Sequence, residues 1–281
     1  MISQKVSLKK YSTFKIGGPA KFFAEPKSIA DIRELLAFCK KNKEKFFILG
    51  NGSNVLFSDK GFDGLVIKMG RHFASGKSLH DIIQTAAGKG LGGMEKLDGI
   101  PGTIGGAIFM NAGAHGQQIS DCIKSVTSVT TYGGIEKRTN KECKFSYRSS
   151  IFKMLDEIII SAEFEFVPMP HEIINKNRKE VIAWRREKQP LKYPNAGSIF
   201  KNPTSNLPLT DSHLSAGYLI DSCGLKGCKV GDAQVSELHA NFIVNRGNAS
   251  ASDVKALMEK IVQEVRKKHG IVLEPEICII I

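Results

Sequence analysis

Gly99-Ile100-Pro101-Gly102-Thr103-Ile104-Gly105-Gly106-Ala107, leading into Asn111-Ala112-Gly113-Ala114, is the most informative stretch of this 281-residue chain. Glycine lets a backbone approach a ligand closely, and successive N–H groups can form a nest for an anion. The stretch is not a Walker A phosphate loop, because no Gly-Lys-Ser/Thr ends it. Nor is it a dinucleotide fingerprint: the glycine spacing differs, and no strand-turn-helix with a downstream acid follows. Upstream, Gly50-Asn51-Gly52-Ser53-Asn54 follows the apolar run Phe46–Leu49 directly. Either loop alone reads as a set of tight turns. Two such loops, both rich in Ser, Thr and Asn, suit a pyrophosphate clamped between two elements.

The elements around the loops follow from periodicity. Ser28, with Asp31 three residues on, can cap a helix whose apolar face is Ile29, Ile32, Leu35, Leu36 and Cys39. Residues 46–49 and 65–68 read as strands, giving a β-α-β-like start. Residues 79–89 read as a short helix, 126–132 as a strand, and Gly133-Gly134 as its turn. Ala162, Phe164 and Phe166 alternate with polar neighbours, as in a half-exposed strand. Pro168 and Pro170 mark a linker, and residues 172–188 read as a helix stopped by Pro190. After Ser252, the residues Val254, Leu257, Met258, Ile261, Val262 and Val265 share one helical face that ends at Gly270. Residues 271–281 read as an apolar terminal strand. Helices and strands mix without regular alternation, so the expected class is α+β. The chain is long for one core, and two or three compact units are expected.

Composition narrows the function less. With 42% hydrophobic and 24% charged residues, the chain is an ordinary globular protein. The formal charge of +12 favours anionic partners, although the lysines are scattered as on a solubilising surface. The cysteines Cys39, Cys122, Cys143, Cys223, Cys228 and Cys278 form no CxxC pair, so no metal site is expected and free thiols in a reducing compartment are. No apolar signal core and no run of about 18 apolar residues is present, which leads to the expectation of a cytoplasmic location without membrane attachment.

Seven blocks stand in order along the chain. They are Thr13-Phe14-Lys15-Ile16-Gly17-Gly18-Pro19-Ala20, Ile48-Leu49-Gly50-Asn51-Gly52-Ser53-Asn54, and residues 99–107 with 110–114. Then come Tyr147-Arg148-Ser149-Ser150-Ile151-Phe152-Lys153, Asn195-Ala196-Gly197-Ser198-Ile199-Phe200-Lys201-Asn202-Pro203, residues 231–245, and Leu273-Glu274-Pro275-Glu276. In this order they resemble the UDP-N-acetylenolpyruvoylglucosamine reductase family over nearly the whole chain. The resemblance implies a vanillyl-alcohol-oxidase-type flavoprotein. Its fold would have two FAD-binding subdomains (1–70 and 71–195) and a smaller α+β substrate-binding domain (196–281), with the C-terminal strand returning to the active site. It implies non-covalent FAD, NADPH as reductant, a UDP-sugar substrate, a monomer, and no nucleic-acid partner. The implied reaction reduces an enolpyruvyl ether to a lactyl ether in peptidoglycan precursor synthesis. The implied FAD contacts are Gly50, Asn51, Gly52, Ser53 and Asn54, then Gly99, Pro101, Gly102, Thr103, Gly105, Gly106, Ala107, Asn111 and Gly113. Arg185 and Arg186 could reach the FAD or cover a helix face.

The implied chemistry gives three residues a role. Two-electron reduction pushes negative charge onto the substrate carboxylate, so a fixed cation should sit there. Arg148 matches the family arginine, and its planar guanidinium suits a carboxylate. Glu276 matches the family glutamate and is expected to carry a proton during turnover, since an ionised Glu would repel the substrate acid. Ser198 matches the proton donor, and a serine needs a cation or relay to act as an acid, with Lys201 or Lys226 as candidates. Read alone, Arg148 is a surface arginine, Ser198 a turn residue and Glu276 a solvated charge, with Glu274 an alternative holder of the role. Tyr147, Lys226, Gln234, His239 and Asn241 are the implied substrate contacts, and His239 is equally a packed histidine. The chain departs from the family pattern at Asp232, Leu238 and Cys278. It resembles the short type that lacks a substrate-covering tyrosine loop, with residues 204–215 slightly longer than that type suggests. Two rivals are an oxidase of the same superfamily with FAD attached to His72 or His115, and a basic nucleic-acid binder.

Overall fold

Side-chain capping starts the helices. The structure, a computed structural model, describes residues 2–203 and 215–280. Its α-helices among these residues are α1 (Ile29–Asn42), α2 (Leu79–Gly88), α3 (Ile104–Met110), α4 (His171–Lys188), α5 (Ala216–Ser222) and α6 (Ala251–His269). Ser28 accepts from the Asp31 N–H while Asp31 accepts from the Ser28 N–H, so the expected cap of α1 is a full capping box. Ser250 and Asp253 repeat it at α6, two residues before the expected start, and Asp59 accepts from the Ala251 and Ser252 N–H groups as well. Gly270 (φ 70°) ends α6, with Arg266, Lys267, Lys268 and His269 in the last turn, where unpaired carbonyls favour cations.

The chain forms two compact units that follow contacts and not chain order. The first comprises Met1–Lys5, Lys21–Asn51 and Asp63–Arg185. Its four-stranded sheet runs Ser3–Ser7, Pro19–Ala24, Phe62–Lys68, Phe46–Leu49, with the last two parallel. α1 packs Ile32, Leu35, Leu36 and Cys39 into the same core as Leu65 and Ile67, although it precedes both parallel strands and does not connect them. A second, antiparallel sheet orders Ile135–Thr139, Ile123–Val129 and Ile158–Phe164. A further core of this unit joins Leu79 and Ile83 of α2 with Ile104 and Ile108 of α3, Val126 and Phe152. Each such fully buried side chain is worth ~1.5–3 kcal/mol over its exposed state.

The second unit comprises Val6–Ala20, Gly52–Phe62 and Arg186–Ile281. Its antiparallel sheet runs Asn195–Ser198, Phe242–Asn245, Ala233–Val235, Lys229–Val230. Leu257, Ile261 and Val265 of α6 and Leu219 and Ile220 of α5 share its core with Val235 and Ile243. The first glycine loop is therefore divided: Gly50 and Asn51 fall in one unit, and Gly52, Ser53 and Asn54 in the other.

Three local expectations are corrected. The stretch read as a continuous glycine loop contains α3, started by Thr103, whose side chain accepts from the Gly106 N–H. Glycine at 105 serves packing there, since a Cβ would stand 3.2 Å from Ser75 Cβ. The terminal strand is only Cys278–Ile280, paired in parallel with Val55–Phe57. Residues upstream of it make a single bridge, Pro275 to Phe200, and Pro275 has no N–H to continue a ladder. The linker expected at Pro168 is instead a short strand, Val167–Pro168, paired with Gly92 and Leu91.

Candidate functional site

Gly50 and Thr103 bring the two glycine loops together. A Cβ on Gly50 would stand 2.5 Å from Thr103 Oγ1, so no side chain separates the loops at this point. Asn51, Pro101 and Gly106 are exposed, and Gly50, Gly102 and Gly105 are half-buried. Thr103 and Ala107 are buried. Gly99 and Gly102 have φ of 79° and 139°, backbone that L-residues rarely adopt. No acidic side chain stands between Gly99 and Ala107, and the glycines leave backbone N–H groups open to close approach, a composition that fits an elongated anionic group such as the FAD pyrophosphate. Among the implied FAD contacts, Asn111 is already committed. It caps α3 at φ 44°, donates to Gln118 Oε1 and Ser146 O, and accepts from the Ser120 N–H.

A cluster that sequence reading overlooked anchors the second loop. Asp98 is fully buried immediately before Gly99. Its carboxylate binds His80 Nδ1 at 2.6 Å, accepts from Arg178 Nε at 2.7 Å and accepts from the Gly99 N–H at 2.9 Å. Arg185 Nε donates to Asp98 O at 3.0 Å, and its stem lies against Gly99, where a Cβ would meet Cδ at 2.9 Å. Arg185 thus holds the loop backbone, whereas Arg186 is exposed. Burial pushes the Asp98 carboxyl upward, but His80 and Arg178 outweigh it and hold it below the ordinary carboxylate range. Its charge is matched by the Arg178 guanidinium and does not oppose an anion in the loop. The signal in the sequence was an acid wedged between Leu97 and Gly99.

Arg148 projects from a turn tied to the same element. Ser150 Oγ donates to Phe109 O, and Asn111 reaches Ser146 O, so the turn is fixed to the end of α3. Arg148 itself has φ 53°, and Lys153 Nζ donates to its carbonyl at 2.7 Å. Its guanidinium lies 5.1 Å from the Tyr147 ring centroid. A Cβ on Gly113 would stand 3.4 Å from Arg148 Nη1. Arg148, Tyr147 and Gly113 are therefore brought together. Of the rivals' histidines, His72 is exposed, and His115 sits edge-on to Trp184 with centroids 4.8 Å apart.

Ser198 and Glu276 lie in the second unit on adjoining extended segments. Ser198 pairs with Phe242, and the Glu276 N–H donates to Ile199 O at 2.8 Å. Asn54 Nδ2 donates to Glu276 O, so the first loop also touches this segment. Lys201 is paired with the exposed Glu274, and Lys226 with Asp221, so each candidate cation for Ser198 already has a carboxylate partner. Gln234 is buried, and its Nε2 donates to Glu237 Oε1. Burial first, then Lys226, lowers the His239 imidazole below its ordinary range, and its Nδ1 accepts from the Asn241 N–H. Asn241 is buried with both amide atoms bound to Phe200. Asp232 accepts from the Asn248 N–H at 2.8 Å, a structural use for this departure from the family pattern. Leu238 is half-exposed, and the Cys278 N–H donates to Asn54 O. The expectation for residues 204–215 lies, but for Ser215, outside the described residues.

Gly52 gives the clearest stability prediction of the loops. At φ 63°, a Cβ there would stand 2.0 Å from Tyr11 O. Gly52→Ala is expected to lose ~2–4 kcal/mol from overpacking and left-handed strain. Gly88→Ala, with nothing within 4 Å, is the matched control and is expected to be neutral or slightly stabilising. Thermal unfolding of both variants checks this.

The model of the UDP-N-acetylenolpyruvoylglucosamine reductase C-terminal domain matches residues 189–280, and an FAD binding domain model matches residues 20–139. A UDP-N-acetylenolpyruvoylglucosamine reductase of Carboxydothermus hydrogenoformans is 42% identical, covering 96% of this chain and 91% of its own. One from Lactobacillus delbrueckii subsp. bulgaricus is 39% identical, covering 99% and 95%. The crystal structure of the reductase from Thermus caldophilus superposes over 100% of both chains with a TM-score of 0.86 at 33% identity. Identity at this level over nearly the full length shows that the chain belongs to the UDP-N-acetylenolpyruvoylglucosamine reductase family.

Proposed function

We propose that Arg148, Ser198 and Glu276 divide between them the work of reducing UDP-N-acetylglucosamine enolpyruvate to UDP-N-acetylmuramate. Bound FAD supplies the two-electron chemistry, with NADPH as the reductant. The chain's own residues position the substrate and manage its charge and protons. Arg148 grips the substrate carboxylate as negative charge builds on it. A protonated Glu276 shares that charge through a hydrogen bond. The Ser198 hydroxyl delivers a proton to the carbon next to the carboxylate. Tyr147, Lys226, Gln234 and His239 line the nucleotide-sugar site, and the two glycine loops hold FAD without a covalent bond. The chain works as a cytoplasmic monomer in peptidoglycan precursor synthesis, in three segments: 1–70 and 71–195 for FAD, and 196–281 for the substrate.

The observation that supports this reading best is the Arg148 guanidinium beside Gly113, at the end of the second glycine element. Arg148→Lys keeps the charge and loses the planar fork. It is expected to lower kcat/KM for the enolpyruvyl substrate by about 10²–10³ fold, the usual loss for one donor to developing charge. Rapid-mixing measurement of enzyme reduction by NADPH should change little. Equal losses in both steps would place Arg148 in flavin binding or folding.

A further inference from the structure

We infer that Asn241 is a positioning residue for proton delivery: its side-chain amide clamps the Phe200 backbone and so sets Ser198 against the Glu276 segment. The inference rests on the roles proposed above for Ser198 and Glu276. Asn241 Oδ1 accepts from the Phe200 N–H at 2.9 Å, and Nδ2 donates to Phe200 O at 2.8 Å. The Ile199 N–H donates to Asn241 O at 2.9 Å. One residue therefore satisfies three of the four backbone polar groups of the two residues after Ser198. On their other side, Ile199 O accepts from the Glu276 N–H, and the Lys201 N–H donates to Glu274 O.

The sheet ladder cannot do this alone. Between Asn195 and Ser198 the pairing to the neighbouring strand slips, with Asn195 opposite Val244 and Ser198 opposite Phe242. Three steps on one strand are set against two on the other, a bulge that loosens register and re-aims side chains. Gly197 takes φ 77° within it. The amide of Asn241 restores register immediately past the bulge, mimicking the two hydrogen bonds of a paired strand residue. Phe200 is 1% exposed and Asn241 4%, so no water replaces these bonds when they are lost. The same burial argues against direct substrate contact, since both amide atoms are spent on backbone.

The test uses the FAD-loaded enzyme with Asn241→Ala and, should that variant fold poorly, Asn241→Asp, which keeps the acceptor for the Phe200 N–H. Amide hydrogen exchange at Ile199 and Phe200 should quicken at least tenfold while exchange in α3 stays unchanged. Reoxidation by the enolpyruvyl substrate should slow by about 10–100 fold, the usual effect of a small misplacement of a reacting group. Its solvent deuterium isotope effect should rise, because proton delivery becomes limiting. Substrate affinity, read from the flavin spectrum, should change less than about threefold. Weakened affinity with an unchanged isotope effect is the result for a substrate contact and overturns the inference, as does unaltered exchange at Ile199 and Phe200. Ser198→Ala is measured alongside. If it reoxidises at the normal rate, the Ser198 role fails and this inference falls with it.

Discussion

Ser198→Ala is expected to leave reduction of the enzyme by NADPH largely intact and to slow its reoxidation by the enolpyruvyl substrate by about 10²–10⁴ fold, the range for loss of a positioned general acid. The two half-reactions separate because only the second needs a proton placed on carbon. Ser198 ends the strand Asn195–Ser198 and lies one residue from Ile199, whose carbonyl holds the Glu276 N–H. Removing the hydroxyl deletes one oxygen from a half-buried position and leaves this backbone pairing untouched. Stability should therefore change little while chemistry fails. Rapid-mixing absorbance of the flavin follows both steps. Equal slowing of reduction and reoxidation would mean that Ser198 supports flavin binding or the fold.

The second large effect is expected at Asp98. Asp98→Ala deletes a fully buried carboxylate that holds Arg178, His80 and the Gly99 N–H. Arg178 is itself 12% exposed, so its charge is left without compensation in a poorly hydrated place. Breaking a buried pair in this way costs about 3–5 kcal/mol. At ~2–4 °C per kcal/mol, the midpoint of thermal unfolding should fall by roughly 10 °C. His80 adds less, being half-exposed and screened. The loop from Gly99 to Thr103 should loosen with the loss of its anchor, and bound FAD should exchange faster. The pH dependence has a definite sign. A carboxyl held below its ordinary range contributes stability that is fully present above its unfolded value, near 4, and that disappears as pH falls through the folded value. Asp98→Asn should therefore flatten the acid limb of the stability curve while changing its shape little above pH 6. An acid limb identical to wild type would show that the Asp98 cluster does not carry this linkage.

Most of the secondary structure was legible because it rests on local chemistry. Ser28 with Asp31, the apolar face from Ile29 to Cys39, and Gly270 after a basic turn each fix an element from neighbouring residues alone. The failures share a cause. α3 was hidden because two of its seven residues are glycines, whose weak helix propensity is overridden by the close approach of Ser75. The terminal segment was misread as one strand because an apolar run says nothing of partners: Cys278–Ile280 pairs with Val55–Phe57, while Pro275 makes a bridge to a different segment, at Phe200.

The ordered blocks determined the family, and they single out Arg148, Ser198 and Glu276 as the residues proposed for the chemistry, since an anionic alkene calls for a cation, an acid and a hydroxyl. Tertiary structure alone decided what each polar side chain is free to do. Asn241 reads as a ligand contact in sequence and is committed to the Phe200 backbone in space. Asp98 reads as an unremarked charge and is the buried anchor of the second loop. The reason is that a hydrogen bond uses up a donor or acceptor. Which groups are already paired depends on residues 40 to 80 positions away in the chain, as with Phe200 and Asn241 or Asp98 and Arg178.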